Sequence, residues 1–217
     1  MPRWPVLAAV LLLGGAAASR ADVPSPTPPD AEARYQALLA KAKAAAPDAD
    51  WEALRIAAAR RPGFRVLGQS GAGAEMFEAL KANDCAKALP AARAAIAESY
   101  VDIDAHMIAA FCEENAGDAA AARLDRDIGL GLVKSIETGD GLTPAGAFTP
   151  IDVAEEYAVM RALGLSVTEQ SLVRQDGHAY DALTAADAHG HQATYYFLID
   201  RMLAAEAAQA KGTGGGS

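Results

Sequence analysis

The sequence predicts an α+β fold: tetratricopeptide-like helical hairpins followed by a helix and a small three-stranded antiparallel sheet. Three observations carry that expectation. Apolar residues recur at helical spacing in successive segments between residues 30 and 163. Alternating patterns then flank Asp176-Gly177, the two-residue signal for a type I′ hairpin. Hydrophobic residues make up 52% of the chain but aromatics only 6%, so the core is aliphatic and rich in Ala, the best helix former.

The first 21 residues read as a secretory signal peptide. Arg3 makes a positive start, Val6 to Leu13 is an apolar run too short to anchor in a bilayer, and Ser19-Arg20-Ala21 suits cleavage after Ala21. No Cys follows the run, which argues against a lipid anchor, and no membrane insertion is expected once the leader is gone. Pro24, Pro26, Pro28 and Pro29 mark 22–29 as an extended linker. A single domain is expected over 30–203, helical to 139, with loop, helix and sheet beyond. Residues 204–217 read as an Ala-rich end and a flexible Gly-rich tail.

A first helix is predicted over 30–46, with Tyr35, Leu38, Leu39 and Ala42 as one stripe and Pro47 as its stop. Asp48 or Asp50 caps a second, carrying Trp51, Leu54 and Ala58 on one face. Met76, Phe77 and Leu80 form a short helix ending at Asn83-Asp84, and another follows from Cys85 to about Ser99. Asp102 or Asp104 caps a helix with Met107, Ala110 and Phe111, broken at Gly117-Asp118. A long helix then runs over 118–138 with Leu124, Ile128, Leu132 and Ile136 as its stripe.

Residues 83–88 align with 117–122 at an offset of 34, the period of a tetratricopeptide repeat. Two such repeats need neighbouring elements to cap them. Pro90 inside the second helix of the first repeat should kink it or delay its start. Cys85 and Cys112 would lie at neighbouring helix ends. In an oxidising compartment two cysteines most often pair, the alternative being two separate buried thiols.

After Gly139 the pattern changes. Glycines at 139 and 141 and prolines at 144 and 150 mark a long loop, and 152–163 reads as one more helix. Strands are expected over 167–175, 178–184 and 194–199. The hairpin register would place Gln175 opposite His178, Val173 opposite Tyr180 and Leu172 opposite Asp181.

Several stretches resemble a bacterial family known as domain of unknown function 4919. They are Tyr100-Val101-Asp102-Ile103-Asp104-Ala105-His106, Gly139-Asp140-Gly141 with Ala147-Phe148, and Glu155-Glu156-Tyr157-Ala158-Val159. Gln170-Ser171-Leu172-Val173, Gly177-His178-Ala179-Tyr180-Asp181 and Tyr196-Phe197-Leu198-Ile199-Asp200 continue the match. The chain departs from the family pattern at Ala179, at Leu198 and in the Ala-rich segment after Asp200. The resemblance implies an exported bacterial protein and no particular activity.

The formal net charge is −9, and loss of Arg3 and Arg20 with the leader makes it two units more negative. Nucleic acid and anionic membrane surfaces demand Lys/Arg clusters, so neither is an expected partner. No cofactor is expected. Gly68 to Gly73 lacks the Gly-Lys-Ser/Thr of a phosphate loop, with Ala74-Glu75 standing there instead, and lacks the Gly at 72 of a nucleophile elbow. Asp187, His189 and His191 read as a solvated turn rather than a metal site.

Glu155, Glu156, Gln170, His178 and Asp181 form the candidate polar cluster, as a binding site or as a network stitching sheet to helix. Glu155 and Glu156 point about 100° apart, so both cannot readily face one substrate. His106 reads as a partly buried surface residue. The leading expectation is a non-enzymatic periplasmic binding or scaffold protein, with an envelope protein as partner, docked in the helical groove or on the sheet edge. The alternatives are a small hydrolase or ligand-binding enzyme using Glu156, Gln170, His178 and Asp181, and a purely structural envelope protein.

Overall fold

In the computed structural model the described residues are 28–44, 46–61, 64–66 and 71–213. The leader, most of the linker, the glycine loop at 67–70 and the last four residues lie outside them. Eight α-helices and one three-stranded sheet are present among the described residues, an α+β fold. No helix among them is long and apolar enough to cross a membrane.

The helices come in antiparallel neighbours. Helix α1 (Pro28–Lys43) starts two residues before the expected domain boundary, because Pro is well suited to a first turn. It packs through Tyr35, Leu39 and Ala42 onto α2 (Trp51–Ala58). Helices α3 (Gly71–Lys81) and α4 (Cys85–Glu98) form the next pair, and α5 (Ile103–Ala116) and α6 (Ala119–Ile136) the third. Helix α7 (Val153–Ala162) then leads into the sheet.

The caps explain why the helices begin where they do. Asp50, Asp84, Asp118 and Asp152 each accept a backbone N–H from three residues ahead, at the starts of α2, α4, α6 and α7. All four are spaced by 34 residues, twice as many as the sequence alignment joined. The series is not a run of like hairpins, however, since a loop rather than a helix precedes α7.

Packing decides the details. The buried face of α4 is Ala88, Ala91, Ala92 and Ala95, which lets α5 approach closely. Pro90 is accommodated inside α4, which neither starts late nor ends there. Helix α5 is buried on most of its circumference. On α6 a side chain at Gly131 would meet the Trp51 ring at 2.7 Å, so the glycine admits α2. The expected stripe of α6 is rotated: Leu124 is exposed, and Asp125 turns inward, where it meets His106 and Arg93.

The sheet follows the expected register. Strands β1 (Ser166–Gln175), β2 (His178–Ala186) and β3 (Gln192–Leu198) lie in that order, with Gln175 opposite His178 and Leu172 opposite Asp181. Asp176 and Gly177 both have positive φ, 53° and 84°, as a type I′ turn requires. The loop after α6 is a covering element. Phe148 N donates to the Tyr196 carbonyl and the Phe148 carbonyl accepts from Leu198 N, while Tyr196 N donates to Gly141 O, so the loop covers the outer edge of β3. Helix α8 (Asp200–Thr213) replaces the expected Ala-rich end through residue 213 and buries Met202.

Two apolar clusters result. One joins α1, α2, α6, α7 and the sheet; the other joins α3, α4 and α5. The Cys85–Cys112 disulfide, with Cα atoms 5.2 Å apart, ties the start of α4 to the end of α5. Replacing both cysteines by Ser should lower stability by about 2–4 kcal/mol through the released chain entropy. Urea midpoints of the two proteins check this; equal midpoints would show that helix packing alone holds the second cluster.

Candidate functional site

The first turn of α7 sends its two glutamates to different places. Glu155 points toward the helices. Its Oε1 accepts from Arg55 Nε at 2.7 Å, and its Oε2 from Arg55 Nη2 at 2.6 Å and from Ile151 N at 2.8 Å. Arg55 also donates to Ser135 O at 3.0 Å, Ser135 Oγ at 3.2 Å and Thr149 O at 2.8 Å. Both side chains are almost fully buried. Arg55 is a residue that sequence reasoning passed over. Its signal was position: it lies one turn after Trp51, beside the apolar face of α2.

Glu156 faces the sheet with no accessible surface, and neither of its oxygens has a hydrogen-bond partner. Asp181 of β2 stands beside it, a second carboxyl that can pair with Glu156 only through a shared proton. Burial first, and then the charge of Asp181, push the Glu156 carboxyl up to about 9, so it is neutral at pH 7. Beside it, Tyr157 Oη donates to Gln170 Oε1 at 2.8 Å, and Gln170 Nε2 donates to Asp181 Oδ2 at 2.9 Å.

His178 belongs to neither set. Its Nδ1 lies 2.6 Å from Asp200 Oδ2, while Asp200 Oδ1 accepts from Ala179 N at 2.8 Å, fastening β2 to the start of α8. The five candidates therefore divide three ways: Glu155 with Arg55, His178 with Asp200, and Glu156, Gln170 and Asp181 together at the seam of α7 and the sheet.

His106 is not a partly buried surface residue, as its sequence context suggested; it is fully buried. Its Nδ1 is 2.6 Å from Asp125 Oδ1, and its Nε2 donates to the Tyr100 carbonyl at 2.9 Å. Arg93 donates to Asp125 Oδ2 at 2.6 Å and to Glu113. Burial works to raise Asp125, but the hydrogen bonds from His106 and Arg93 outweigh it and hold the carboxyl below its ordinary value. Asp187 closes its turn by accepting from the backbone N–H groups of His189 and His191, and its other oxygen lies 3.0 Å from His191 Nδ1. Among the described residues no group of three or more His, Cys, Asp or Glu side chains is placed to hold a metal ion.

Two concavities lie beside these networks. A polar cavity of about 290 Å³ opens where the N-termini of α5 and α7 meet α1 and the segment after α2, with Tyr35, Arg61, Arg65, Asp102, Asp104 and Asp152 in its walls. Burial, followed by the Glu155 charge, pushes Asp152 up to about 8. Burial raises Asp102 as well, against the hydrogen bond it accepts from Ala105 N. An apolar groove of about 340 Å³ runs between α3, α5 and α7, lined by Phe77, Leu80, Met107, Ile108 and Phe111. Arg161 closes one side, bonded to Asp104 and lying 5.6 Å from the centre of the Phe77 ring.

Compared with known proteins, residues 72–208 match the family model described as Domain of unknown function (DUF4919), more than half of the chain. No curated protein and no solved structure matches.

The two glutamates should respond differently to mutation. Arg55→Met strands a buried carboxylate and should cost about 3–5 kcal/mol, whereas Arg55→Met with Glu155→Met should recover most of that loss. Urea midpoints of the single and double variants test this. Glu156 holds its proton more tightly in the folded chain, at about 9, than in the unfolded chain, near 4.5. Between those values the unfolded state binds fewer protons, so stability should fall as pH rises, by up to ~1.4 kcal/mol per unit. In Glu156→Gln that contribution should vanish, giving a smaller fall in urea midpoint between pH 5 and pH 8 than in the parent protein.

Proposed function

We propose that this chain, which belongs to the family described as Domain of unknown function (DUF4919), is an exported, non-enzymatic binding protein that docks a partner protein in the groove between α3, α5 and α7. The observation that carries the reading is the groove itself. It is open, almost wholly apolar, and built from two successive helical hairpins closed by α7. Phe111 at its edge is 45% exposed, although it is one of the few aromatics in the chain. A large apolar side chain kept at the surface of a groove is more typical of an interface than of a packed core.

The leader over 1–21 and the Cys85–Cys112 disulfide support an oxidising setting, periplasmic or secreted. The disulfide also holds α4 against α5, which keeps the groove preformed. With a net charge of −9, two units more negative once Arg3 and Arg20 leave with the leader, the chain favours an apolar segment flanked by basic residues, supplied by an envelope protein. The enzymatic alternative has less support. Glu156 has no accessible surface, and His178 is bonded to Asp200 away from Gln170 and Asp181.

The test is to express the tagged mature chain in its own periplasm, crosslink it, and identify what co-purifies at stoichiometric yield. A Phe111→Asp variant with an unchanged melting temperature should lose that partner. No partner for the parent protein, or the same partner at the same yield for Phe111→Asp, would overturn the groove as its docking site.

A further inference from the structure

The two edges of the sheet are treated differently. On β3 the outward backbone groups of Tyr196 and Leu198 are taken by Gly141 and Phe148 of the covering loop. On β1, among the described residues, nothing bonds to the outer edge. Its free groups can be identified from its neighbour. The N–H of Ala179 donates to Asp200 Oδ1 at 2.8 Å and its carbonyl accepts from Ile199 N at 3.0 Å, so both face away from β1. Antiparallel pairs alternate between bonded and unbonded, so Arg174, opposite Ala179, is in an unbonded pair. The N–H and C=O groups of Gln170, Leu172 and Arg174 therefore point outward from the sheet.

An open edge of this kind is a template for another strand, and proteins usually blunt it with short strands, Pro or Lys. Strand β1 is ten residues long and contains neither Pro nor Lys. Its one irregularity lies between Val167 and Glu169, which leaves 169–175 as a regular run. Leu172 stands at the middle of that run and is 56% exposed, more than any other large apolar side chain among the described residues.

We propose that two copies of this chain pair β1 with β1, antiparallel about a two-fold axis at Leu172, and so join their sheets edge to edge. The run matches itself in that register. Leu172 has outward backbone groups, so it can bond mutually with Leu172 of the second copy, and each leucine covers the other. Gln170 bonds in the same way with Arg174 of the second copy, and Arg174 with Gln170. Glu169 falls opposite Gln175. The charged residues of β1, Glu169 and Arg174, thus each face an uncharged side chain, and no like charges are opposed. An unrelated strand would meet the same backbone groups without this self-matching of side chains.

Sedimentation velocity of the purified mature chain from about 1 to about 500 μM tests the proposal; a single strand pair buries little area, so a dissociation constant of roughly 10–100 μM is expected. Added NaCl should tighten the dimer, because each copy is acidic and salt screens their mutual repulsion. Leu172→Lys and Leu172→Glu should each weaken it about tenfold or more, since each sets a like charge against itself at the axis. Mixed in equal amounts, the two variants should dimerise again, because opposite charges then meet there. Leu172 is exposed, so both variants should keep the parent's melting temperature as monomers. A parent chain that stays monomeric over the whole range would overturn the proposal. So would a dimer of unchanged strength in Leu172→Lys, or a mixture of the two variants that stays monomeric. The groove between α3, α5 and α7 takes no part in these readouts.

Discussion

Four separate parts of the chain meet on the Arg55 guanidinium. It comes from α2, and its bonds go to Glu155 on α7, to Ser135 near the end of α6, and to the Thr149 carbonyl in the loop that crosses to α7. A buried ion pair of this kind contributes little net stability over apolar residues of the same size, because desolvation offsets most of the attraction. Its effect is on geometry. Each guanidinium donor has one direction, so the angle of α7 against α2 and α6 is set by where the acceptors stand. With Glu155 held toward the helices, Glu156 must turn to the sheet.

The consequences spread from that orientation. Glu156 enters the seam with β2 beside Asp181 and stays neutral there. The cap of α7, Asp152, is brought to the cap of α5, Asp102, and the space between those helix starts becomes the polar cavity. On its other side α7 contributes Ala158, Arg161 and Ala162 to the apolar groove. One short helix therefore borders the seam, the cavity and the groove. This is a physical reason why Tyr100 to His106 and Glu155 to Val159, which carry part of the family resemblance, lie together in space.

The helical layer has a different logic. Alanine faces on α4 and glycines on α6 allow helix axes to come close, and the aspartate caps repeat every 34 residues from Asp50 to Asp152. Regular starts and small contact residues give a layer that needs few aromatics. The disulfide then closes α4 on α5. Where the chain lacks a helix before α7, the loop through Gly141 and Phe148 is used instead to cover β3, so the break in the period serves the sheet.

Local chemistry alone determined the helix starts, the hairpin turn and the register of β1 with β2. An aspartate before an apolar stripe, or Asp-Gly between alternating strands, acts through neighbours a few residues away. The pairing of Cys85 with Cys112 was legible for a related reason: both sit at helix ends whose adjacency follows from short connections. Tertiary structure decided the partners of the charged residues. Nothing in the sequence near Arg55 names Glu155, a hundred residues on, and nothing near His178 distinguishes Asp200 from Asp181. Leu124 and Asp125 show the same limit, since hydrophobicity favours burying the leucine and only the bonds to buried His106 and to Arg93 make the aspartate the buried one. Charge pairing acts through space, and its outcome depends on which groups the whole fold removes from water together.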